Sequence, residues 1–152
     1  MGCYEHHHLV TIGDTNLLGG VYYTRVLEWM GQCRERWFIE QVADAGQLMR
    51  DGLFLITRDV TCTFLKEMHL GDPVIVRLAI PHLGHCELHC TMEVIHAVSG
   101  DLHASGTQHI LCAGADHRFR RWPETFAAAA RLIPGDQRPS VVAAEPRLAR
   151  VA

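Results

Sequence analysis

The chain has 152 residues, 48% of them hydrophobic, and a formal net charge of −3 from 14 basic and 17 acidic residues. A chain of this size buries a full core as a single domain without metal or disulfide support. A negative net charge provides no positive potential to attract nucleic acid, and no stretch approaches the ~18 consecutive apolar residues that span a membrane. We therefore expect neither a nucleic-acid-binding protein nor a membrane protein.

The first predicted element is a strand over residues 4–12, which ends at a glycine-rich turn. Residues 22–45 then carry apolar side chains at three- and four-residue spacings, which predicts an amphipathic helix of about six turns ending before Gly46. Short runs of β-branched and apolar residues follow, separated by Gly, Pro and Asp. They predict four strands, over residues 53–65, 74–83, 85–97 and 102–113.

The short turns between these strands suit hairpins, so the sequence predicts an α+β fold in which a five-stranded antiparallel sheet curls around one long central helix. We expect a single domain over residues 1–133. From Pro134 the chain reads PGDQRPSVVAAEPRLARVA, without a sustained period. Residues 134–152 are therefore predicted to form a flexible tail.

The turn GDTNLLGGVYY, residues 13–23, leads directly into the predicted helix. The first N–H groups of a helix have no partner within it, and they attract anions and oxyanions. The turn therefore predicts an oxyanion-binding site. We expect the substrate to lie against four of its residues: Gly19, Gly20, Val21 and Tyr22.

A strand, a Gly-Asp-x-(Asp/Asn) turn, a long helix and four antiparallel strands together resemble the hotdog-fold thioesterases. The segment GDTNLLGGVYYTRVLEW is similar to the 4-hydroxybenzoyl-CoA thioesterase branch. That branch carries an aspartate two residues after the Gly-Asp pair, as nucleophile or base. Asn16 stands at this position, and an amide does not ionise near neutral pH, so the aspartate mechanism does not transfer.

A closer resemblance is to the thioesterases of enediyne polyketide biosynthesis, whose motif reads Thr-Asn-Leu-x-Gly-x-Val-Tyr-(Tyr/Phe), followed by Cys-Arg-Glu-Arg in the helix. Residues 15–23 and 33–36 match both halves. The resemblance implies hydrolytic release of a linear β-ketoacyl polyene from the phosphopantetheine arm of an acyl carrier domain in an iterative polyketide synthase. It also implies important roles for Asn16 and Arg34, no acidic catalytic residue and no cofactor.

The predicted helix gives a separate argument about Arg34, the one formal charge on its apolar arc. It lies between Met30, Trp37 and Phe38. An unpaired buried charge costs several kcal/mol, so Arg34 should face an anion, a carbonyl-lined cavity or a water-filled substrate channel. The alternative is a structural arginine that pairs with a carboxylate at a subunit contact.

Arg34 follows Tyr23 by eleven residues, which is ~16 Å along an α-helix and beyond the reach of its side chain. If both belong to one site, one subunit supplies the turn and its partner supplies Arg34. We therefore expect a homodimer or homotetramer.

In the expected mechanism the N–H of Tyr23 or its neighbour binds the thioester carbonyl oxygen and stabilises the tetrahedral oxyanion by ~3 kcal/mol. Asn16 positions the attacking water or the thioester, and Arg34 holds an enolised β-keto oxygen or adds charge stabilisation. A thiolate leaves without protonation, which makes attack without a strong base tolerable. The alternative role for Asn16 is a turn residue whose side chain satisfies backbone groups.

Two threonines of the first strand after the helix, Thr61 and Thr63, are candidates for lining an acyl channel. They alternate with Val60, Cys62 and Phe64. A hydrated or hydrogen-bonded sheet face is the alternative.

The segment PHLGHCELHC has the residue types of a zinc site. Strand alternation puts Cys86 and Cys90 on one face and His85 and His89 on the other, so we predict no metal site there. Cys33 lies on the apolar arc of the helix without an activating histidine, and we expect it to be an inert core residue.

The six cysteines have no framework-like spacing, and residues 1–10 do not read as a secretory leader. Both features predict a cytoplasmic protein with free thiols. Two alternatives to the polyketide thioesterase remain open: a hotdog-fold partner that holds the acyl chain without cleaving it, and an acyl-CoA thioesterase of primary metabolism. A hotdog dehydratase ranks lower, because it needs a histidine paired with an acid near the turn, and the turn has none.

Overall fold

The computed structural model describes residues 2–135. Its helices and strands, in chain order, are β1 (Tyr4–Leu9), a short 3₁₀ helix (Ile12–Asp14), α1 (Tyr23–Gln41), α2 (Ala45–Arg50), β2 (Phe54–Phe64), β3 (Pro73–Leu83), β4 (Glu87–His96), β5 (Leu102–Ala113) and α3 (Glu124–Arg131). None of these helices combines the length and apolarity that a membrane span requires.

The strands form one antiparallel sheet in the order β1-β3-β4-β5-β2, so β1 and β2 are its edges. The long helix α1 packs against β3 and β1. We call the sheet face that packs on α1 the inner face, and the opposite one the outer face. The predicted α+β arrangement, a five-stranded sheet around one long helix, is confirmed.

The core lies between α1 and the inner face. Period-two alternation buries one side of the central strands, and the 3.6-residue period buries one side of α1. The buried residues of α1 are Val26, Trp29, Met30, Cys33, Trp37 and Phe38. The end of the core is closed by α3, whose Phe126 meets Trp37 edge-on and stacks on Trp122, with ring centroids 5.3 and 4.3 Å apart.

Several boundaries differ from the sequence prediction. The first strand stops at Leu9, and Ile12, the predicted last residue of that strand, begins the 3₁₀ helix. The long helix stops at Gln41, because Val42 adopts an extended backbone with φ −91° and ψ 116°. The helices α2 and α3 are elements that the pattern did not predict.

The last described residues still belong to the packed domain. Ile133 is buried in the core, and its carbonyl accepts a hydrogen bond of 2.7 Å from the Ile80 N–H. The predicted flexible tail over residues 134–152 lies outside the described residues from position 136 onward, so that prediction stays a prediction.

Candidate functional site

The glycine-rich turn is closed by its own backbone. The Asn16 N–H donates to the Gly20 carbonyl at 2.7 Å, and the Gly19 N–H donates to the Asn16 carbonyl at 3.0 Å. Gly19 has φ +85°, a left-handed conformation that residues with a Cβ rarely adopt. A further bond of 2.8 Å from the Tyr22 N–H to the Asp14 carbonyl fixes the turn against the start of α1.

The start of α1 offers free hydrogen-bond donors. Tyr22, the residue before the helix, has an extended backbone and gives no side-chain cap. The Arg25 N–H donates to the Tyr22 carbonyl at 2.9 Å, whereas the N–H groups of Tyr23 and Thr24 find no acceptor among residues 2–135. These two groups carry the positive end of the helix dipole, which suits them to an oxyanion.

A groove with a volume of about 330 Å³ opens beside this helix start. Its lining residues are Val21, Tyr23, Val26, Phe64, Leu65, Lys66, Glu67 and Met68. The Tyr23 and Phe64 rings meet edge-on, with centroids 6.3 Å apart. Of the residues expected to bind substrate, Val21 lines the groove, and Gly19, Gly20 and Tyr22 lie in the adjoining turn. A mostly apolar groove of this kind is suited to an acyl chain.

Asn16 is exposed, and only one of the two polar atoms of its side chain is hydrogen-bonded within the described residues. Its Oδ1 accepts a hydrogen bond of 2.9 Å from the Leu18 N–H, which is the turn-stabilising role that the sequence left open. Its Nδ2 makes no hydrogen bond within the described part of the chain. The amide therefore stabilises the turn and keeps a donor for a substrate or a water molecule.

A histidine–carboxylate pair lies behind the turn. The buried Asp14 Oδ2 accepts hydrogen bonds from the Thr11 N–H at 2.8 Å and the Thr11 hydroxyl at 3.0 Å, and it lies 3.0 Å from His8 Nε2. Burial opposes ionisation of this carboxyl, but hydrogen bonds from Thr11 and His8 outweigh it and hold its pKa below the usual range. His8 packs on Trp29.

Sequence reasoning missed this pair because its histidine comes from β1 rather than from the turn. The alternation of β1, which places every second residue on the inner face, was the available signal. With three donors on one oxygen, Asp14 serves primarily to hold the turn.

Arg34 projects from the middle of α1 to the inner face of β5 and β2. Its Nη1 donates to Gln108 Oε1 at 2.6 Å and to Thr57 Oγ1 at 3.2 Å. Its Nε is buried and has no hydrogen-bond partner among the described residues. Burial lowers the pKa of the guanidinium. The structure thus places a partly buried arginine against neutral groups, with no carboxylate of the described chain in salt-bridge contact.

The two parts of the predicted site are far apart along the chain's long helix: the glycine-rich turn leads into the start of α1, and Arg34 lies in its middle. Arg34 contacts β5 and β2, and neither Asn16 nor Tyr23 is among its hydrogen-bond partners in the described chain. The helix is uninterrupted from Tyr23 to Gln41, so the eleven-residue separation corresponds to ~16 Å.

Thr61 and Thr63 belong to the outer face of β2. The Thr61 hydroxyl lies 2.6 Å from that of Thr107, directly across the strand pair. Cys62 faces inward, since its partner Gly106 packs against Met30. This placement favours the hydrogen-bonded sheet face over an acyl channel for the two threonines.

Two buried thiols of the core, Cys33 and Cys90, are unreactive. Cys33 is fully buried, and burial raises its pKa to about 12. Cys90 is also buried on the inner face, and burial raises its pKa to about 12 as well. Neither thiol forms the thiolate that nucleophilic catalysis requires.

Comparison with known families gives one match over most of the chain. The sequence model described as the thioesterase-like superfamily matches residues 10–130. Among curated proteins, a 1,4-dihydroxy-2-naphthoyl-CoA hydrolase from Synechocystis sp. is 24% identical over 119 residues, which cover 78% of this chain and 86% of that protein.

Solved structures share the same architecture. The dynemicin thioesterase, whose crystal structures reveal induced fit and allosteric effects upon polyene binding, is 28% identical, with a TM-score of 0.80 over 86% of this chain and 96% of that one. A 1,4-dihydroxy-2-naphthoyl-CoA thioesterase from Synechocystis is 21% identical, with a TM-score of 0.78 over 86% and 96%. A gentisyl-coenzyme A thioesterase is 22% identical, with a TM-score of 0.73 over 83% and 98%. The last two likenesses concern the fold alone.

Proposed function

The chain belongs to the thioesterase-like superfamily and is a thioester hydrolase with the hotdog fold, and we propose that it releases a β-ketoacyl polyene from the acyl carrier domain of an iterative enediyne polyketide synthase. The substrate is a thioester of the phosphopantetheine arm of that domain. The observation that carries the proposal is the guanidinium of Arg34, which is partly buried against neutral groups and is free to meet a negative charge on the substrate.

Two further observations support this substrate. The dynemicin thioesterase, a protein that binds a polyene, is 28% identical to this chain. The groove beside the start of α1 is lined mainly by apolar and aromatic side chains. A linear unsaturated chain buries its length against such a surface and keeps its polar end at the helix start.

The reaction needs no carboxylate base in this proposal. Water adds to the thioester carbonyl carbon, and the oxyanion that forms accepts hydrogen bonds from the Tyr23 and Thr24 N–H groups. The Asn16 Nδ2 orients the water or the thioester. The oxyanion then collapses, the C–S bond breaks, and a proton from the added water passes through solvent to the departing thiolate. The products are a β-keto acid and the free phosphopantetheine thiol.

Arg34 acts on the β-keto oxygen of the substrate. A β-ketoacyl group enolises readily, and its enolate carries a charge that a partly desolvated guanidinium binds strongly. Gln108 and Thr57 hold Nη1 of the guanidinium and leave Nη2 for the substrate.

The complete site is proposed to form across a subunit interface of a homodimer or homotetramer. One subunit supplies the turn with Asn16, and the other supplies Arg34. In a single chain, Leu17 and Leu18 at the tip of the turn are 100% and 89% exposed. Adjacent apolar side chains with this exposure are suited to contact with a second subunit.

The cytoplasm is the proposed location. All six cysteines, Cys3, Cys33, Cys62, Cys86, Cys90 and Cys112, are free thiols. Free cysteines are typical of reducing compartments.

The direct test is steady-state hydrolysis of a β-ketoacyl polyene on its carrier domain, with mass analysis of the released acid. We expect Asn16→Ala and Arg34→Ala to lower kcat/KM by about 10²-fold or more, as loss of a transition-state contact does. Arg36→Ala is the matched control, since Arg36 lies on the exposed side of the same helix. Full activity in Arg34→Ala contradicts the assigned mechanism.

Mixed dimers test whether the site is shared. When Asn16→Ala and Arg34→Ala subunits are combined, a mixed dimer regains one intact site only if the two residues come from different chains. Random mixing then restores about a quarter of the sites. No recovery in verified mixed dimers contradicts the shared site.

The second candidate is an acyl-CoA thioesterase of primary metabolism, which the similarity to a 1,4-dihydroxy-2-naphthoyl-CoA hydrolase favours. A higher kcat/KM for aromatic acyl-CoA than for the carrier-bound polyene supports this candidate. The family assignment favours hydrolysis over the non-catalytic acyl-binding alternative.

The His8–Asp14 pair offers a different general base, and substitution of His8 distinguishes it from base-free attack. If His8 is the base, His8→Gln lowers kcat/KM by about 10²-fold or more. The base-free mechanism predicts a kcat/KM close to that of the wild type.

A further inference from the structure

The outer face of the sheet carries a row of imidazoles that lie in register across three neighbouring strands. His82 of β3 pairs with His89 of β4, and His89 pairs with His109 of β5. The ring centroids are 5.0 Å apart in the first pair and 4.2 Å apart in the second. Asp59 of β2 pairs with His109 and extends the row to a fourth strand.

The carboxylate of Glu87 lies beside two of these rings, those of His89 and His109. Glu87 lies two residues before His89 on the same face of β4, and its Oε2 is 3.1 Å from His109 Nε2. One ligand atom from each of Glu87, His89 and His109 lies within 4.8 Å of the other two. Donors around a tetrahedral zinc ion are about 3.3 Å apart, so small side-chain rotations bring all three to one centre.

The ring of His109 is held in the orientation that a metal ligand needs. Its side chain is only 15% exposed, and its Nδ1 lies 3.4 Å from Asp59 Oδ2, while Nε2 is directed towards Glu87. Metal-binding histidines characteristically present their second ring nitrogen to a carboxylate, which fixes the tautomer and raises the basicity of the ligating nitrogen.

We propose that Glu87, His89 and His109 form a binding site for a divalent transition-metal ion of the zinc class, with Asp59 as the carboxylate that orients His109. Two imidazoles and one carboxylate are a donor set that zinc favours. Water completes the coordination, or His82, whose Nε2 lies 3.9 Å from Glu87 Oε1.

This site is separate from the thioesterase machinery. His109 follows Gln108, and successive residues of a strand point to opposite faces. Gln108 faces inward to Arg34, so the metal site lies on the other side of the sheet. A bound ion would link β4 to β5 directly and β2 through Asp59, which makes its expected effect one of stability rather than catalysis.

The test is calorimetric titration of the metal-stripped full chain with Zn²⁺. We expect one tight site per chain, an increase in Tm that saturates at one equivalent, and reversal by a chelator. His89→Gln and His109→Gln should weaken binding at least 100-fold, and Asp59→Asn about 10- to 100-fold. His89 and Asp59 are exposed, so these two variants are expected to fold.

The matched control is His7→Gln on β1, since His7 also lies on an exposed edge, 4.0 Å from a carboxylate, and has two histidine neighbours in sequence. It should leave binding unchanged. Co²⁺ substitution identifies the ligands, because thiolate ligation gives a charge-transfer band that nitrogen and oxygen ligands do not. A thiolate band, loss of binding in the control alone, or undiminished binding in His89→Gln overturns the proposal.

Discussion

The two faces of the sheet differ in the partners of their charged side chains: carboxylates on the outer face and neutral groups on the inner face. On the outer face, Arg77 Nε donates to Glu5 Oε1 at 2.7 Å, and Glu87 Oε2 meets His109 Nε2 at 3.1 Å. On the inner face, the Arg34 guanidinium is held by the neutral oxygen of Gln108, and its buried Nε has no partner in the described chain.

The difference shows where charge costs stability and where it does not. Exposed ion pairs contribute little to folding, typically below about 1 kcal/mol. A partly buried cation without an anionic partner is unfavourable, and a packed apolar side chain of similar size is often at least as stable. The partly buried position of Arg34 supports its proposed role in binding a ligand, whereas an exposed ion pair such as Arg77–Glu5 costs too little to support such a role.

The largest expected effect comes from variants that separate the proposed catalytic role of Arg34 from its structural role. Arg34→Met should lower kcat/KM by about 10²- to 10³-fold and destabilise the fold by about 1–3 kcal/mol, because Gln108 loses its donor. Adding Gln108→Leu replaces both partners by apolar groups and should restore most of the stability but none of the activity. Denaturant unfolding and hydrolysis kinetics on the same preparations measure both quantities. Recovery of activity with stability shows instead that Arg34 is structural.

The second prediction compares neighbouring residues of β5 that face opposite ways. A Cβ on Gly106 would collide with the Thr61 carbonyl oxygen and press on Met30 of α1. Gly106→Ala should therefore cost about 2 kcal/mol of stability through overpacking. Ser105→Ala, on the outer face, should change stability by less than about 0.5 kcal/mol. Urea unfolding of both variants checks the contrast, and equal midpoints would show that the inner face adapts.

The third prediction concerns Asp14, a buried anion whose donors are all present. Its folded pKa lies below its unfolded value, so its contribution to stability is complete above the unfolded pKa of about 3.9 and is lost as pH falls through the folded pKa. Asp14→Asn should cost about 1–2 kcal/mol near neutral pH, and the gap from wild type should shrink in acid. A gap that stays constant between about pH 6 and pH 2 contradicts this account.

The sheet and the long helix were predictable because each depends on a local period. The strand predicted over residues 74–83 is observed as Pro73–Leu83, and the position of Arg34 on the helical wheel already indicated its burial. Its partner Gln108 is 74 residues away in sequence. No local period specifies that contact, so the neutral environment of the guanidinium could not be predicted.

The side-chain directions at the irregular part of β2 could not be predicted from strand alternation. Thr57 and Asp59 are two residues apart and would share a face in a regular strand. The pairing shifts between them, so Thr57 contacts Arg34 on the inner face and Asp59 contacts His109 on the outer face. One irregularity therefore supplies a residue to each of two unrelated clusters.

The cluster proposed to bind a metal ion was not predicted from the sequence, for a related reason. Alternation correctly separated the buried Cys90 from the exposed His89 within β4. The third proposed ligand, His109, comes from β5, and the pairing register of two strands is set by the turns and by core packing rather than by either strand alone. Alternation within one strand therefore does not predict a cluster that is built across strands.

The smallest expected effect concerns an ion pair on the outer face. Arg77 and Glu5 are partly exposed and form a short ion pair between β3 and β1. Glu5→Gln should cost about 0.5 kcal/mol at low salt and less at high salt, because solvent already screens the pair. Hydrolysis should be unchanged, since the pair lies on the face opposite Arg34. A loss of activity as large as that of Arg34→Met would show that the two faces are coupled through the sheet, and the separation between a catalytic inner face and a structural outer face would then be wrong.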